Sequence, residues 1–106
     1  MTSVEVFNGS CGYLTRVVGC RETADIIRIS IVTDCQSVRQ WGLSIKSTDW
    51  RSCLGKNAQH SSFWQSAFGI LQHRSCPVIA GVLRAIETEM DIAPPADARI
   101  RFLPAG

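Results

Sequence analysis

The spacing of apolar residues along this chain moves from every second position to every third or fourth, and then back. Residues 3–7, SVEVF, alternate, which predicts a short strand. Asn8-Gly9 follows and predicts a hairpin turn, since both residues tolerate positive φ. Residues 13–19, YLTRVVG, hold the β-branched and aromatic residues of a partner strand, and RETAD at 21–25 makes the next turn. From Ile26 to Thr33 the alternation is clearest. Ile27, Ile29 and Ile31 interleave with Arg28 and Ser30, so one face is buried and the other wet, as in an antiparallel sheet.

Beyond Asp34, which can stop that strand and cap a helix, the period changes. Val38, Trp41, Gly42 and Ile45 recur at helical spacing over residues 36–46, although Gly42 costs about 1 kcal/mol relative to alanine. Residues 47–61 are polar and predict an irregular stretch. Ser62 with Gln65 resembles a capping box, ahead of a helix carrying Phe63, Ala67, Ile70 and Leu71 and ending near His73. Pro77 suits the first position of the last helix, whose stripe is Ile79, Val82, Leu83, Ile86 and Met90. Pro94-Pro95 ends it. Residues 98–103 alternate again, with Ile100 and Phe102 inward and Arg99 and Arg101 outward.

The predicted order is βββααβ. Segregated strands and helices predict an α+β class: a single two-layer domain over residues 1–106, with a mainly antiparallel sheet and helices packed on one face. The length suits one domain. Apolar residues at 45% and charged residues at 19% exclude a disordered chain. The net charge of +2 is too weak to imply a polyanion, and the arginines are scattered from Arg16 to Arg101. A nucleic-acid partner is therefore not expected. No stretch is apolar for the ~18 residues that a membrane span needs. The segment MTSVEVFNGSCG carries no secretory pattern, so a cytoplasmic location is expected.

In such a reducing compartment five cysteines are free thiols, ligands or reactive groups rather than disulfides. Cys35 opens the first predicted helix, Cys76 opens the last, and Cys11 lies in the first turn. A helix N-terminus favours thiolate over thiol. His73 stands three residues before Cys76, a spacing that lets both side chains reach one ion. Cys11, Cys35, His73 and Cys76 are thus candidate ligands for zinc or an iron-sulfur centre. Three readings stay open. One is a metal module. Another is a redox or thiol enzyme with Cys76 or Cys35 as nucleophile and His73 as the available base. The third is an interaction domain with buried cysteines, whose sheet edge or tryptophan face meets a second copy or another protein. Cys20 and Cys53 read as packing or plain exposure, His60 as a solvated residue before a helix, and Trp50 as a residue able to line a pocket. No nucleotide-loop, nucleophile-elbow or HExxH motif is present.

Cys11-Gly12-Tyr13, Asp34-Cys35 and His73 with Cys76-Pro77-Val78, together with the stretch HRSCPVIAGVLRAIETEMDIAPPADARIRF, resemble the signature of a small uncharacterised domain-of-unknown-function family. Ile79 stands in place of that family's second proline, and Met90-Asp91 in place of a glycine or small-residue step. The resemblance spans nearly the whole chain. It implies that Cys11, Cys35, His73 and Cys76 form one site, and it implies no activity.

Overall fold

A computed structural model describes residues 1–9 and 11–105. Four strands, β1 (Thr2–Asn8), β2 (Tyr13–Arg21), β3 (Ile26–Val32) and β4 (Ser47–Asp49), form one antiparallel sheet in the order β1-β2-β3-β4. Among the described residues, four helices, α1 (Gln36–Ser44), α2 (Trp50–Leu54), α3 (Ser62–Ile70) and α4 (Val78–Glu89), cover its inner face, with a 3₁₀ turn at Ala58–His60. The class is α+β, as the sequence pattern predicts.

Alternation decides the two faces. Val6, Thr15, Val17, Ile27 and Ile29 point inward and are buried. They meet Val38 and Trp41 of α1, Phe63 and Ala67 of α3, and Val78, Val82, Ala85 and Ile86 of α4. Burying each large aliphatic side chain contributes about 1.5–3 kcal/mol. The outer face keeps Glu5, Arg16, Arg28 and Ser30 in water. Arg28 and Glu22 form an ion pair there.

Glycines sit where elements come closest. A Cβ on Gly42 would lie 3.3 Å from the Ile31 side chain, and one on Gly81 would lie 2.5 Å from Val6 Cγ2. The helix-weakening Gly42 is therefore the residue that lets α1 approach β3.

Several expectations need correction. The irregular stretch at 47–61 contains β4, α2 and the 3₁₀ turn. β4 is three residues long and shows no alternation to read; its pairing with Ile26, Ile27 and Arg28 makes it a strand. Residues 98–103 pair with nothing among the described residues, and Ile100 and Phe102 point into solvent. The observed order is therefore β1-β2-β3-α1-β4-α2-α3-α4. Asp34 does not cap α1. Cys35 stands at the N-cap, and its N–H donates to Thr33 Oγ1 at 3.2 Å. The cap of α3 is Ser61, one residue before the expected Ser62: its Oγ accepts from Trp64 N–H and donates to the Ser52 carbonyl at 2.6 Å. That helix stops at Ile70, three residues short of His73. Asn8-Gly9 does open the hairpin, but Asn8 pairs with Tyr13, and Gly12, not Gly9, holds positive φ, at 75°. Gly12 N–H closes the loop by donating to the Asn8 carbonyl at 2.8 Å.

Candidate functional site

Three chain segments meet at one end of the sheet. The first is the β1–β2 hairpin loop, which carries Asn8, Cys11 and Tyr13. The second is the β3–α1 junction, which carries Cys35 and Ser37. The third is the α3–α4 connection, residues 71–77, which carries His73 and Cys76. Together they line one cavity of about 50 Å³, whose floor includes Val38 and Leu71.

Each segment is fixed by ordinary local chemistry. Thr15 and Thr33 bridge β2 to the end of β3 through their hydroxyls at 2.8 Å, both buried. Arg39 of α1 donates to the Thr33 carbonyl at 3.0 Å, which holds the start of α1 beside that bridge. Cys76 N–H donates to the His73 carbonyl at 3.2 Å, folding the loop into a turn before Pro77. Pro77 has φ −70°, already suited to the helix it precedes, although it stands at the cap and Val78 is the first helical residue. Arg74 lies over the Phe68 ring at 5.1 Å and ties the loop back to α3.

The thiols differ in environment. Cys11 is exposed, Cys35 half-buried and Cys76 buried. Partial burial pushes Cys35 up, but the Ser37 hydroxyl and the N–H groups of Val38 and Ser37 outweigh it, so its thiol ionises below the ordinary value of 9.0. Cys35 Sγ lies 3.4 Å from Ser37 Oγ. These donors are the unpaired first turn of α1. Cys76 is pushed the other way, first by burial and then by the proximity of Cys35 and Cys11, against the N–H of Val78. Asn8 Nδ2 donates weakly to Cys76 Sγ at 3.9 Å, and Cys11 Sγ to the Asn8 carbonyl at 3.7 Å.

The structure thus places all four sequence-selected residues, Cys11, Cys35, His73 and Cys76, on the wall of one cavity. They are not gathered further: among the described residues, no three His, Cys, Asp or Glu side chains are arranged as they stand to grasp an ion. Cys20 is exposed on β2, and Cys53 is buried in α2, where burial and then Asp49 push its thiol up to about 12. Trp50 lines no part of the cavity; its indole N–H donates to Asp25 Oδ1 at 3.2 Å. Asn8, Tyr13 and Ser37 are cavity residues that the sequence does not mark as candidate ligands. Asn8 reads only as a turn former there, although the side chain of a turn residue beside Cys11 also faces whatever that cysteine faces.

The chain belongs to DUF6951, a family of unknown function, whose model matches residues 2–102. No curated protein and no solved structure matches it. No helix among the described residues is long and apolar enough to cross a membrane.

Proposed function

We propose that this domain is a binding module for one soft metal ion, zinc or iron, held by the thiolates of Cys11, Cys35 and Cys76 and an imidazole nitrogen of His73. One observation carries the reading: three cysteines and a histidine from three separate segments line the same cavity. Three thiolates and a histidine suit zinc or an iron centre.

Size supports an ion over an organic substrate. Pockets for small molecules run to about 300–1,000 Å³, and a water takes about 30 Å³ in the liquid. A cavity of about 50 Å³ has room for an ion with a few waters, and is small for an organic substrate. Cys11 and His73 sit on exposed loops and can turn inward, while Cys35 and Cys76 are held at helix starts. A bound cation would also relieve the mutual repulsion of three neighbouring thiolates. It would tie the hairpin loop, α1 and α4 together, and its uptake would release protons and so strengthen as pH rises.

A second reading rests on Cys35. The donors around its sulfur favour the thiolate, which makes it a candidate nucleophile. One set of measurements separates the two. Protein purified anaerobically, loaded with zinc or ferrous ion and desalted, is assayed for bound metal, with Cys76→Ser as control and circular dichroism reporting the fold. The metal reading expects close to one ion per chain, with at least a tenfold loss in the variant. Background metal in the wild-type chain removes it. The thiol reading then stands only if Cys35 alkylates with a midpoint below 9.0.

A further inference from the structure

The sheet ends in an unprotected edge. β1 pairs with β2 on one side, and among the described residues no strand pairs with its other side. A free edge of seven residues is a template for another strand, and proteins commonly blunt such an edge with charged side chains, lysine above all, or with proline. β1 reads Thr-Ser-Val-Glu-Val-Phe-Asn and carries one charge, Glu5, with no lysine or proline. Val4 and Val6 lie on its inner face, and Ser3, Glu5 and Phe7 on its outer face. Glu5 has no ion-pair partner among the described residues.

The same chain carries a strand pattern with no sheet to join. Residues 97–103 alternate, yet Ile100 is 89% and Phe102 97% exposed. Arg84 Nη1 donates to the Ala96 carbonyl at 3.0 Å and pins the start of this segment against α4. Beyond that anchor every described residue is exposed.

We propose that residues 97–103 pair, as an added strand, with the free edge of β1 in a second copy of this chain, and reciprocally, forming a two-fold dimer. Both partners are seven residues long, each spanning about 23 Å at ~3.3 Å per residue. With Ile100 and Phe102 on the helix-covered face they extend the apolar row of Val4 and Val6. Arg99 and Arg101 then fall on the outer face beside Glu5, and opposite charges across a strand pair are favourable. The segment's near-complete exposure shows that its own sheet does not hold it. Reciprocal exchange pairs both β1 edges at once, so this contact closes at two chains.

Sedimentation equilibrium of the 106-residue chain tests the pairing. The expected mass is twice 11.7 kDa. The double variant Ile100→Asp/Phe102→Asp should sediment at the single-chain mass with unchanged helical circular dichroism, since neither residue belongs to the core. Glu5→Arg should weaken the dimer at least tenfold, and adding Arg99→Glu and Arg101→Glu should restore it. A wild-type monomer overturns the proposal, as does a dimer that survives both the tail variant and Glu5→Arg. A monomer whose tail amides are protected against exchange shows the segment folded back on its own edge, and overturns it as well.

Discussion

At the scale of one residue, Asp91 shows how a helix end is built against preference. It is the one non-glycine residue with positive φ among those described, at 58°. Its N–H donates to the Thr88 carbonyl at 3.1 Å, and the N–H of Ile92 donates to the Glu87 carbonyl at 2.9 Å. That pair of bonds is a Schellman ending, which favours glycine at the left-handed position. α4 therefore stops before Pro94-Pro95 comes into play. Asp91→Gly should stabilise the fold by about 0.5–1 kcal/mol, the relief of the left-handed penalty less the extra freedom of glycine in the unfolded chain. A higher midpoint in urea unfolding checks it; an unchanged or lower midpoint contradicts it. The sequence marks this position only as a place where Asp stands instead of a glycine-like step. The cap of α1 was less legible. Asp34 has the right chemistry for it, but the turn of the chain after Thr33 gives the place to Cys35, which makes no side-chain capping bond.

At the scale of an element, α4 was the most legible helix, and its core face was read only in part. The expected stripe ran through Ile79, Val82, Leu83, Ile86 and Met90. Val82 and Ile86 are buried as expected, but Ile79, Leu83 and Met90 are only half-buried, and Val78, Gly81 and Ala85 complete the buried face instead. Hydropathy ranks glycine and alanine low, but small residues let β1 and β2 lie close. Ala85 packs over Gly19 of β2, where an added Cβ would stand 3.5 Å from the Ala85 Cβ, an ordinary contact. Gly81→Ala would gain about 1 kcal/mol of helix propensity and lose more to overpacking, because Val6 is itself buried and cannot swing away. We expect a net loss of about 1–2 kcal/mol, read from thermal or urea unfolding, and a stabilised variant would contradict the packing. At its far end α4 is tied to the sheet by Glu89, which accepts from Thr2 Oγ1 at 2.7 Å and from Arg21 N–H at 3.0 Å. The hydrogen bond from Thr2, ahead of that from Arg21 and the nearby chain amine, holds this carboxyl below its usual range.

At the scale of the whole molecule, the thiols give stability a dependence on pH. Cys53 stays protonated in the fold up to about 12, against an ordinary 9.0. A raised folded value means its contribution is complete below about pH 9 and is lost as pH rises toward 12. Cys76 acts in the same direction, and Cys35, lowered, acts in the opposite one. The urea midpoint should fall above pH 9, and Cys53→Ala should flatten that fall while lowering stability uniformly at neutral pH. An equal slope in the variant would show that Cys53 is not the group responsible.

Most of the architecture follows from short-range regularities. Alternation in β1 to β3, helical spacing in α1 and α4 and the Cys-Pro helix start are local, and so they are written in the order of residues. So is the suspicion attached to Cys11, Cys35, His73 and Cys76, since each sits at a turn or helix start whose chemistry is set by its neighbours. Three things needed the folded chain. β4 exists because β3 offers it partners, not because Ser47–Asp49 has any strand pattern of its own. Residues 98–103 have the pattern and no partner strand among the described residues, so the same alternation that makes β3 a strand leaves them exposed. The common cavity arises because the sheet's antiparallel register brings the β1–β2 loop and the end of β3 to one side, where α4 also begins. Periodicity specifies which face of an element turns inward. Which distant segments then share a space depends on how those faces pack, a property of the assembled layers rather than of any stretch of sequence.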